Sequence, residues 1–297
     1  MIEILLAIFF ITVLLLFLSS GIWVAISMIG VSSIGMILFT SRPVGDAMAT
    51  TIWGASSSWT LTALPLFVWM GEILFRTKLS ENLFEGLAPW LQKLPGGLIH
   101  VNVVGCALFA AISGSSAATV ATVGKMSIPE LRKRKYPEKI LLGSLAGSGT
   151  LGLLIPPSII LIIYGVTVQE SIAKLFIAGI IPGIMIALIF MGYVIIWSLL
   201  NKNKMPLTEE NYSFLNKLSK SKQLIPVILL ILGVIGSIYT GIATATEAAS
   251  LGVVGALILS YFQKSLNSKT FKESLLGATK TSCTVSYTHL RAHETVV

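Results

Sequence analysis

Two runs of small polar residues interrupt apolar segments of this sequence, and their residue types suit the binding of ions. One run covers residues 113–119, and the other covers 147–158 and contains Pro156 and Pro157. Neither run contains a carboxylate, so its ligands would be hydroxyls and backbone carbonyls. Such oxygens suit Na⁺, and the N-termini of the helices that follow each break suit an anionic group.

The second run is unusual because the apolar segment around it has the length of a membrane span. Unpaired backbone groups cost several kcal/mol each in a bilayer, so a broken helix is found only where protein or a water-filled cavity covers it. In transporters that place is usually the binding site. The alternative is that the small residues merely let helices pack closely, as Gly, Ala, Ser and Thr do in membranes.

Composition assigns the chain to the polytopic membrane proteins. Hydrophobic residues make up 54% and charged residues 11%, and the mean hydropathy is +0.86. A soluble domain carries about 25% charged residues. The net charge of +8 arises from short basic clusters between apolar runs, which indicates membrane orientation and not nucleic-acid binding. The two cysteines, Cys106 and Cys283, have no spacing typical of a zinc site or a disulfide framework.

Helical spans of roughly 20 apolar residues account for most of the chain. The candidates are about 2–19, 22–40, 60–75, 140–165, 173–200, 225–241 and 243–262. Segment 98–130 is too long for one span and is interrupted at 113–116, which predicts a re-entrant hairpin with two short arms. Segment 76–96 is predicted to be a short polar connector.

The basic loops support the hairpin. They lie at residues 76–93, 132–139, 202–222 and 264–272. With the N-terminus outside, all four become cytoplasmic if the segment 98–130 enters and leaves on the same side. Two full crossings would satisfy the charge rule equally, but each arm is too short to span comfortably.

Three isolated polar residues are weaker functional candidates than the two runs. Glu247, an ionisable residue near the membrane, is a functional candidate, but a cap at a helix start is the favoured interpretation. Glu72 is expected to pair with Arg76 at i+4. His100 with the serines at 113–116 would offer a Ser–His pair for a hydrolase, but about four helical turns separate them. The sequence contains no nucleotide-binding P-loop, which disfavours an ATP-driven pump.

Six motifs, taken in order, resemble the large membrane subunit (DctM-like) of tripartite ATP-independent periplasmic (TRAP) transporters. They are LPLF at 64–67, PGGL at 95–98, SGSSA at 113–117, LIPPS at 154–158, LFIAGIIPG at 175–183 and TEAA at 246–249. The resemblance covers nearly everything from residue 1 to about 283. It implies an all-α membrane fold of the elevator type, with a re-entrant hairpin and a broken helix.

The resemblance also implies a function. The protein would be no enzyme but a secondary transporter in the bacterial inner membrane, with Na⁺ as coupling ion and no other cofactor. Its partners would be a small TRAP membrane subunit and a periplasmic substrate-binding protein that delivers an organic acid, such as a dicarboxylate or a sugar acid. Another elevator-type organic-acid transporter and a non-transporting scaffold subunit remain as alternatives.

The matched motifs carry the implied site residues. Substrate and ion would be bound by Ser113, Gly114, Ser115 and Ser116 at the hairpin tip and by Gly149, Thr150 and Gly152 in the break. The Na⁺ ligands would come from Ser115, Ser116, Gly149 and Gly152. Pro156 and Pro157 would hold the helix broken.

By the same resemblance, the chain would hold the first inverted repeat and the start of the second. We expect scaffold spans at 1–97, the transport region at 98–165, a span and cytoplasmic connector at 166–224, and the second repeat from 225 to 283. Residues 284–297 are similar to a translated sequencing-library adapter and are predicted to be a non-native tail. Since the family has two repeats, this chain alone is not expected to transport.

Overall fold

A computed structural model describes residues 2–77, 79–206 and 213–293, and over these residues the chain is helical without any strand. The predicted all-α class is therefore confirmed. The helices are α1 (Ile2–Ser19), α2 (Val24–Phe39), α3 (Val44–Ser56), α4 (Ala63–Arg76), α5 (Leu79–Leu91), α6 (Ile99–Ser113), α7 (Ser116–Lys133), α8 (Glu138–Gly149), α9 (Ile159–Thr167), α10 (Ile172–Leu200), α11 (Phe214–Ser221), α12 (Ile225–Tyr239), α13 (Ala245–Phe262) and α14 (Ser268–His293).

Several of these helices are apolar enough to cross a membrane. By length and composition, the stretches Ile172–Leu200, Phe214–Tyr239 and Ala245–Phe262 qualify among the described residues. Large apolar side chains point away from the protein interior along α10, where Ile181 is 78% and Leu200 80% exposed. A helix that is apolar on its outer face is stable in lipid and not in water, so the chain is a membrane protein.

Two compact units make up the chain, one of residues 1–61 with 282–297 and the other of 62–281. In the first unit, α1 and α2 pack antiparallel, because Gly30 lies against Phe17 and Gly35 against Phe10. In the second unit, α6 is the central helix, and it packs against α4, α7, α8 and α10.

The packing of α6 fixes the hairpin tip in the second unit. Its buried Ile99 clusters with Ile140 of α8 and Val194 of α10. Near its other end, Ala110 clusters with Leu151 of the predicted break. With both ends held in the core, α6 places the tip residues at a defined position beside α8.

The connector predicted at 76–96 contains helix α5, and its description as polar was incomplete, because two of its leucines are buried. Leu83 and Leu87 lie four residues apart on one helical face and are only 2% and 8% exposed. This spacing is typical of an amphipathic helix, and the charged residues around the leucines made the segment look polar. Within the other predicted connector, residues 207–212 lie outside the described residues, as do 294–297 of the predicted tail.

Helix α13 begins with a capping box. Thr244 Oγ1 accepts the N–H of Glu247 at 3.3 Å, and a Glu247 oxygen accepts the N–H of Thr244 at 2.8 Å. The predicted capping role of Glu247 is confirmed, with Thr244 as the N-cap residue. The predicted pairing of Glu72 with Arg76 is confirmed as well, at 3.1 Å.

We expect Thr244→Ala to lower the free energy of unfolding by about 1 kcal/mol, because the first turn of α13 loses its N-cap. The measurement is denaturation in detergent, followed by circular dichroism. Thr240→Ala is the matched control, since the Thr240 hydroxyl only donates to backbone carbonyls of its own helix end. An equal loss in both variants would contradict the capping assignment.

Candidate functional site

The first polar run forms a tight turn between α6 and α7. Helix α6 ends at Ser113, and Gly114 adopts a left-handed backbone conformation with φ of +61°. Glycine suits this position because a Cβ would be strained there. Ser115 is the N-cap of α7, and its Oγ accepts the N–H of Ala118 at 3.4 Å. The helix pair of the predicted hairpin is thus present, and its re-entry into the membrane stays a prediction.

The hydroxyls of the tip differ in how they are engaged. Ser113 Oγ lies 3.0 Å from Thr119 Oγ1 and accepts the N–H of Ser115 at 3.4 Å. Ser113 and Thr119 are both buried, whereas Ser115 and Ser116 are half-buried. The tip therefore keeps Ser115 and Ser116 partly accessible and holds Ser113 inside.

The second polar run breaks the helix as predicted. Helix α8 ends at Gly149, a 3-10 turn covers Thr150–Leu153, and α9 begins at Ile159. Ser158 is the N-cap of α9: its Oγ accepts the N–H of Leu161 at 3.4 Å and donates to the carbonyl of Leu153 at 2.6 Å.

Pro156 and Pro157 lie buried in the non-helical stretch between the 3-10 turn and α9. Neither proline has a backbone N–H to continue a helical ladder. Thr150 is exposed, and its hydroxyl donates to the carbonyl of Gly147 at 2.6 Å. The prolines thus lie where the helix is interrupted, and Thr150 lies at the accessible edge of the break.

The tip and the break touch directly, in what we call the tip–break contact, formed by residues 113–116 and 149–159. The N–H of Ile159 donates to the carbonyl of Gly114 at 3.2 Å. A Cβ on Gly152 would lie 2.8 Å from the backbone nitrogen of Ser116, and one on Gly114 would collide with the carbonyl of Pro157. The two backbones therefore approach as closely as glycine allows.

This contact gathers four helix ends at one place. The C-termini of α6 and α8 present carbonyl groups, and the N-termini of α7 and α9 present N–H groups. A helix end carries a partial charge of about half an elementary charge, negative at the C-terminus and positive at the N-terminus. The arrangement can therefore attract a cation and an anion to neighbouring positions.

Close packing, the alternative explanation of the small residues, holds for part of the site. A Cβ on Gly149 would collide with Val120 of α7, so the absence of a side chain at Gly149 and Gly152 permits the helices to meet. The ligand roles of Ser113, Gly114, Ser115, Ser116, Gly149, Thr150 and Gly152 stay predictions.

The structure adds a residue that sequence reasoning missed. Ser148 is fully buried at the end of α8, and its Oγ has no hydrogen-bond partner among the described residues. A buried hydroxyl without a partner is uncommon and calls for an explanation, such as an ion. Its signal in the sequence was modest: Ser144 and Ser148 stand four residues apart in the part of α8 that follows its two charged residues, Glu138 and Lys139.

His100 and the tip serines are not brought together. His100 Nε2 lies 2.8 Å from the carbonyl of Pro95, at the opposite end of α6 from Ser113. Ser113 Oγ is instead engaged by Thr119 and Ser115. The geometry therefore does not provide the Ser–His pair that a hydrolase would need.

The family model of the tripartite ATP-independent periplasmic transporter, DctM component, matches residues 11–290. The C4-dicarboxylate TRAP transporter large permease protein DctM of Pseudomonas aeruginosa is 34% identical over 234 residues, which cover 79% of this chain and 54% of that protein. The isethionate TRAP transporter permease protein DctMQ of Oleidesulfovibrio alaskensis is 34% identical over 274 residues, covering 91% and 42%.

A third relative is also named as a TRAP transporter permease. The sialic acid TRAP transporter large permease protein SiaM of Vibrio cholerae is 32% identical over 270 residues, covering 90% of this chain and 62% of that protein. The chain thus spans about half the length of the curated relatives it matches. These relatives are named as transport permeases and not as enzymes. The chain belongs to the DctM family of tripartite ATP-independent periplasmic transporters.

Proposed function

We propose that the chain acts in the large membrane subunit of a Na⁺-coupled TRAP transporter that imports an organic acid. The acid is delivered by a periplasmic substrate-binding protein, and a small membrane subunit completes the assembly. The protein lies in the bacterial inner membrane with its N-terminus outside. The observation that carries the proposal is the tip–break contact, because it brings four helix ends and their polar groups together at one site.

Na⁺ fits the chemistry of this contact. Na⁺ is a hard cation, and the available groups are neutral oxygens from Ser115, Ser116 and the carbonyls near Gly149 and Gly152. The C-termini of α6 and α8 add partial negative charge. Ser148 Oγ, buried and without a partner, is a further oxygen one residue from Gly149. We propose that these oxygens hold the ion.

An organic acid fits the remaining helix ends. The N-termini of α7 and α9 present N–H groups and partial positive charge, which favour a carboxylate. Relatives are named for C4-dicarboxylates, isethionate and sialic acid, and each of these substrates carries an acidic group. We propose an organic anion as the substrate class for this chain too.

Uptake by a chimera tests the proposal. In the chimera, this chain replaces the matching part of the Pseudomonas aeruginosa relative, and the remainder of the large subunit is that of the relative. The small subunit and the binding protein are taken from the same bacterium. We expect uptake that requires Na⁺. Ser115→Ala and Thr150→Ala should lower it about tenfold with normal membrane insertion, because each removes an oxygen ligand.

The matched control for these variants is Ser237→Ala, since the Ser237 hydroxyl only donates to the carbonyl of Val234 within α12. Unchanged uptake in the two site variants would contradict the site assignment. Uptake that ignores Na⁺ would contradict the coupling. A chimera that inserts and assembles but takes up nothing would favour the scaffold alternative.

A further inference from the structure

A basic cavity lies in the second unit, away from the tip–break contact. Its volume is about 750 Å³, and it is lined by the end of α4, by α5, by the C-terminal half of α7, by α11 and by the loop between α13 and α14. A cavity of this volume lies within the range of sites for small molecules. The residues at the tip–break contact do not line it.

Five basic residues line this cavity. Arg76 lies 3.1 Å from both Glu72 and Glu273, and Arg134 lies 2.8 Å from Glu130.

Lys125, Lys220 and Lys264 bring three more positive charges from three different elements. The carboxylates among the described lining residues are Glu130, which is paired with Arg134, and Glu85. Positive charge therefore exceeds negative charge in this cavity.

Lys264 is held in a backbone conformation that favours glycine. Its φ is +52°, in the left-handed region, directly after α13. The N–H of Ser265 donates to the carbonyl of Ser260 at 3.0 Å, which is the helix-ending motif that normally has glycine at this position. The side chain of Lys264 lines the cavity from this position, where glycine would fit without strain.

Helix α11, which contributes Lys220 to the cavity lining, has the composition of a helix at a membrane interface. Helix α11 exposes Phe214, Leu215 and Leu218 at 66%, 73% and 51%. Lys217 lies 5.4 Å from the ring centre of Trp90. Exposed apolar and aromatic residues beside lysines are typical of helices that lie in the headgroup region.

We propose that this cavity binds the phosphate headgroup of an anionic phospholipid. Lys125 of α7 and Lys264 of the α13–α14 loop neutralise the phosphate, and Phe75, Phe84 and Met126 of the cavity wall contact the start of the acyl chains. Basic pockets between membrane helices bind anionic headgroups by this combination of charge and apolar contact. A free anion would contact the lysines and leave these apolar wall residues without a role.

Lys264→Gly is a sharp test, because it removes the charge and relieves the backbone strain together. The full chain is purified in detergent and stripped of lipid. Binding of phosphatidylglycerol and phosphatidylcholine is then measured by native mass spectrometry and by thermal shift. We expect phosphatidylglycerol to bind more tightly than phosphatidylcholine. Lys264→Gly should weaken phosphatidylglycerol binding about fivefold, with a lipid-free melting temperature that is unchanged or higher.

Lys135→Gly is the matched control. Lys135 ends α7 with the same left-handed conformation, at φ of +60°, and it does not line the cavity. The lipid-free melting temperature of Lys135→Gly should change as that of Lys264→Gly does. The affinity of Lys135→Gly for phosphatidylglycerol should stay at the wild-type value. Lys125→Gln, on α7, should weaken binding as Lys264→Gly does.

Three results would overturn the proposal. Equal affinity for phosphatidylglycerol and phosphatidylcholine would show that charge plays no part. Equal effects of Lys264→Gly and Lys135→Gly would show a general effect of net charge. A thermal shift with inorganic phosphate as large as that with phosphatidylglycerol would assign the cavity to a free anion.

Discussion

Gly114→Ala and Gly152→Ala are each expected to lower the free energy of unfolding by about 2–4 kcal/mol, because each forces the tip and the break apart. A Cβ on Gly114 would collide with the carbonyl of Pro157. In addition, the φ of Gly114 is +61°, which disfavours any side chain. A Cβ on Gly152 lies 2.8 Å from the nitrogen of Ser116 and 2.9 Å from the carbonyl carbon of Ser115. Backbone cannot rotate away as a flexible side chain can, so the clash must move a helix. Denaturant titration in detergent measures the loss.

Gly143→Ala in α8 is the control for these two variants. A Cβ on Gly143 meets nothing within 4 Å, and the residue lies inside a helix. Alanine there should leave stability unchanged or raise it by up to about 1 kcal/mol, because alanine favours the helix over glycine. If all three variants lowered the free energy of unfolding equally, close approach at the tip–break contact would not be the cause of the loss.

Na⁺ is expected to raise the thermal unfolding midpoint of the chain relative to K⁺ at equal ionic strength, and Ser148→Ala should abolish most of this difference. A ligand that binds only the folded state stabilises it by about 2.7 kcal/mol at a hundred times its dissociation constant. Ser148 Oγ is buried without a partner, so it is available as a ligand. Its removal in K⁺ should cost little, since no hydrogen bond is lost. Ser115→Ala should weaken the Na⁺ response too, with an added loss of the α7 cap.

Ser127→Ala is the matched control for Ser148→Ala. Ser127 is also fully buried, and its Oγ likewise has no partner in the described part of the chain, but it lies eleven residues along α7 from Ser116, about 16 Å from the tip. Its Na⁺ response should equal that of the wild type. A full response in Ser148→Ala, or a lost response in Ser127→Ala, would contradict an ion at the tip–break contact.

The outcome for α5 shows one limit of sequence reasoning. Leu83 and Leu87 have helical spacing, but Glu81, Glu85, Lys78 and Lys93 around them suggested a solvated connector. Burial of these leucines depends on the position of α6 in space, against which α5 packs. Local composition does not contain that information.

The basic cavity and the orphaned hydroxyl show the same limit. Lys125, Lys220 and Lys264 are separated by 95 and 44 residues of sequence, and they meet only because α7, α11 and the α13–α14 loop converge. In the sequence, Ser148 is one more small residue among apolar ones. Only the structure shows that its Oγ has no hydrogen-bond partner among the described residues.

Sequence by itself determined the membrane class, the helix pair with its polar tip, the break at residues 147–158 and the capping role of Glu247. These follow from local physics: apolar composition, glycine and proline in a helix, and hydrogen bonds between residues three apart. Only the tertiary structure decided that Gly114 accepts the N–H of Ile159 and that Gly152 lies against Ser116. That contact joins segments far apart in the chain, and it depends on how α4, α6 and α8 pack, which no local pattern specifies.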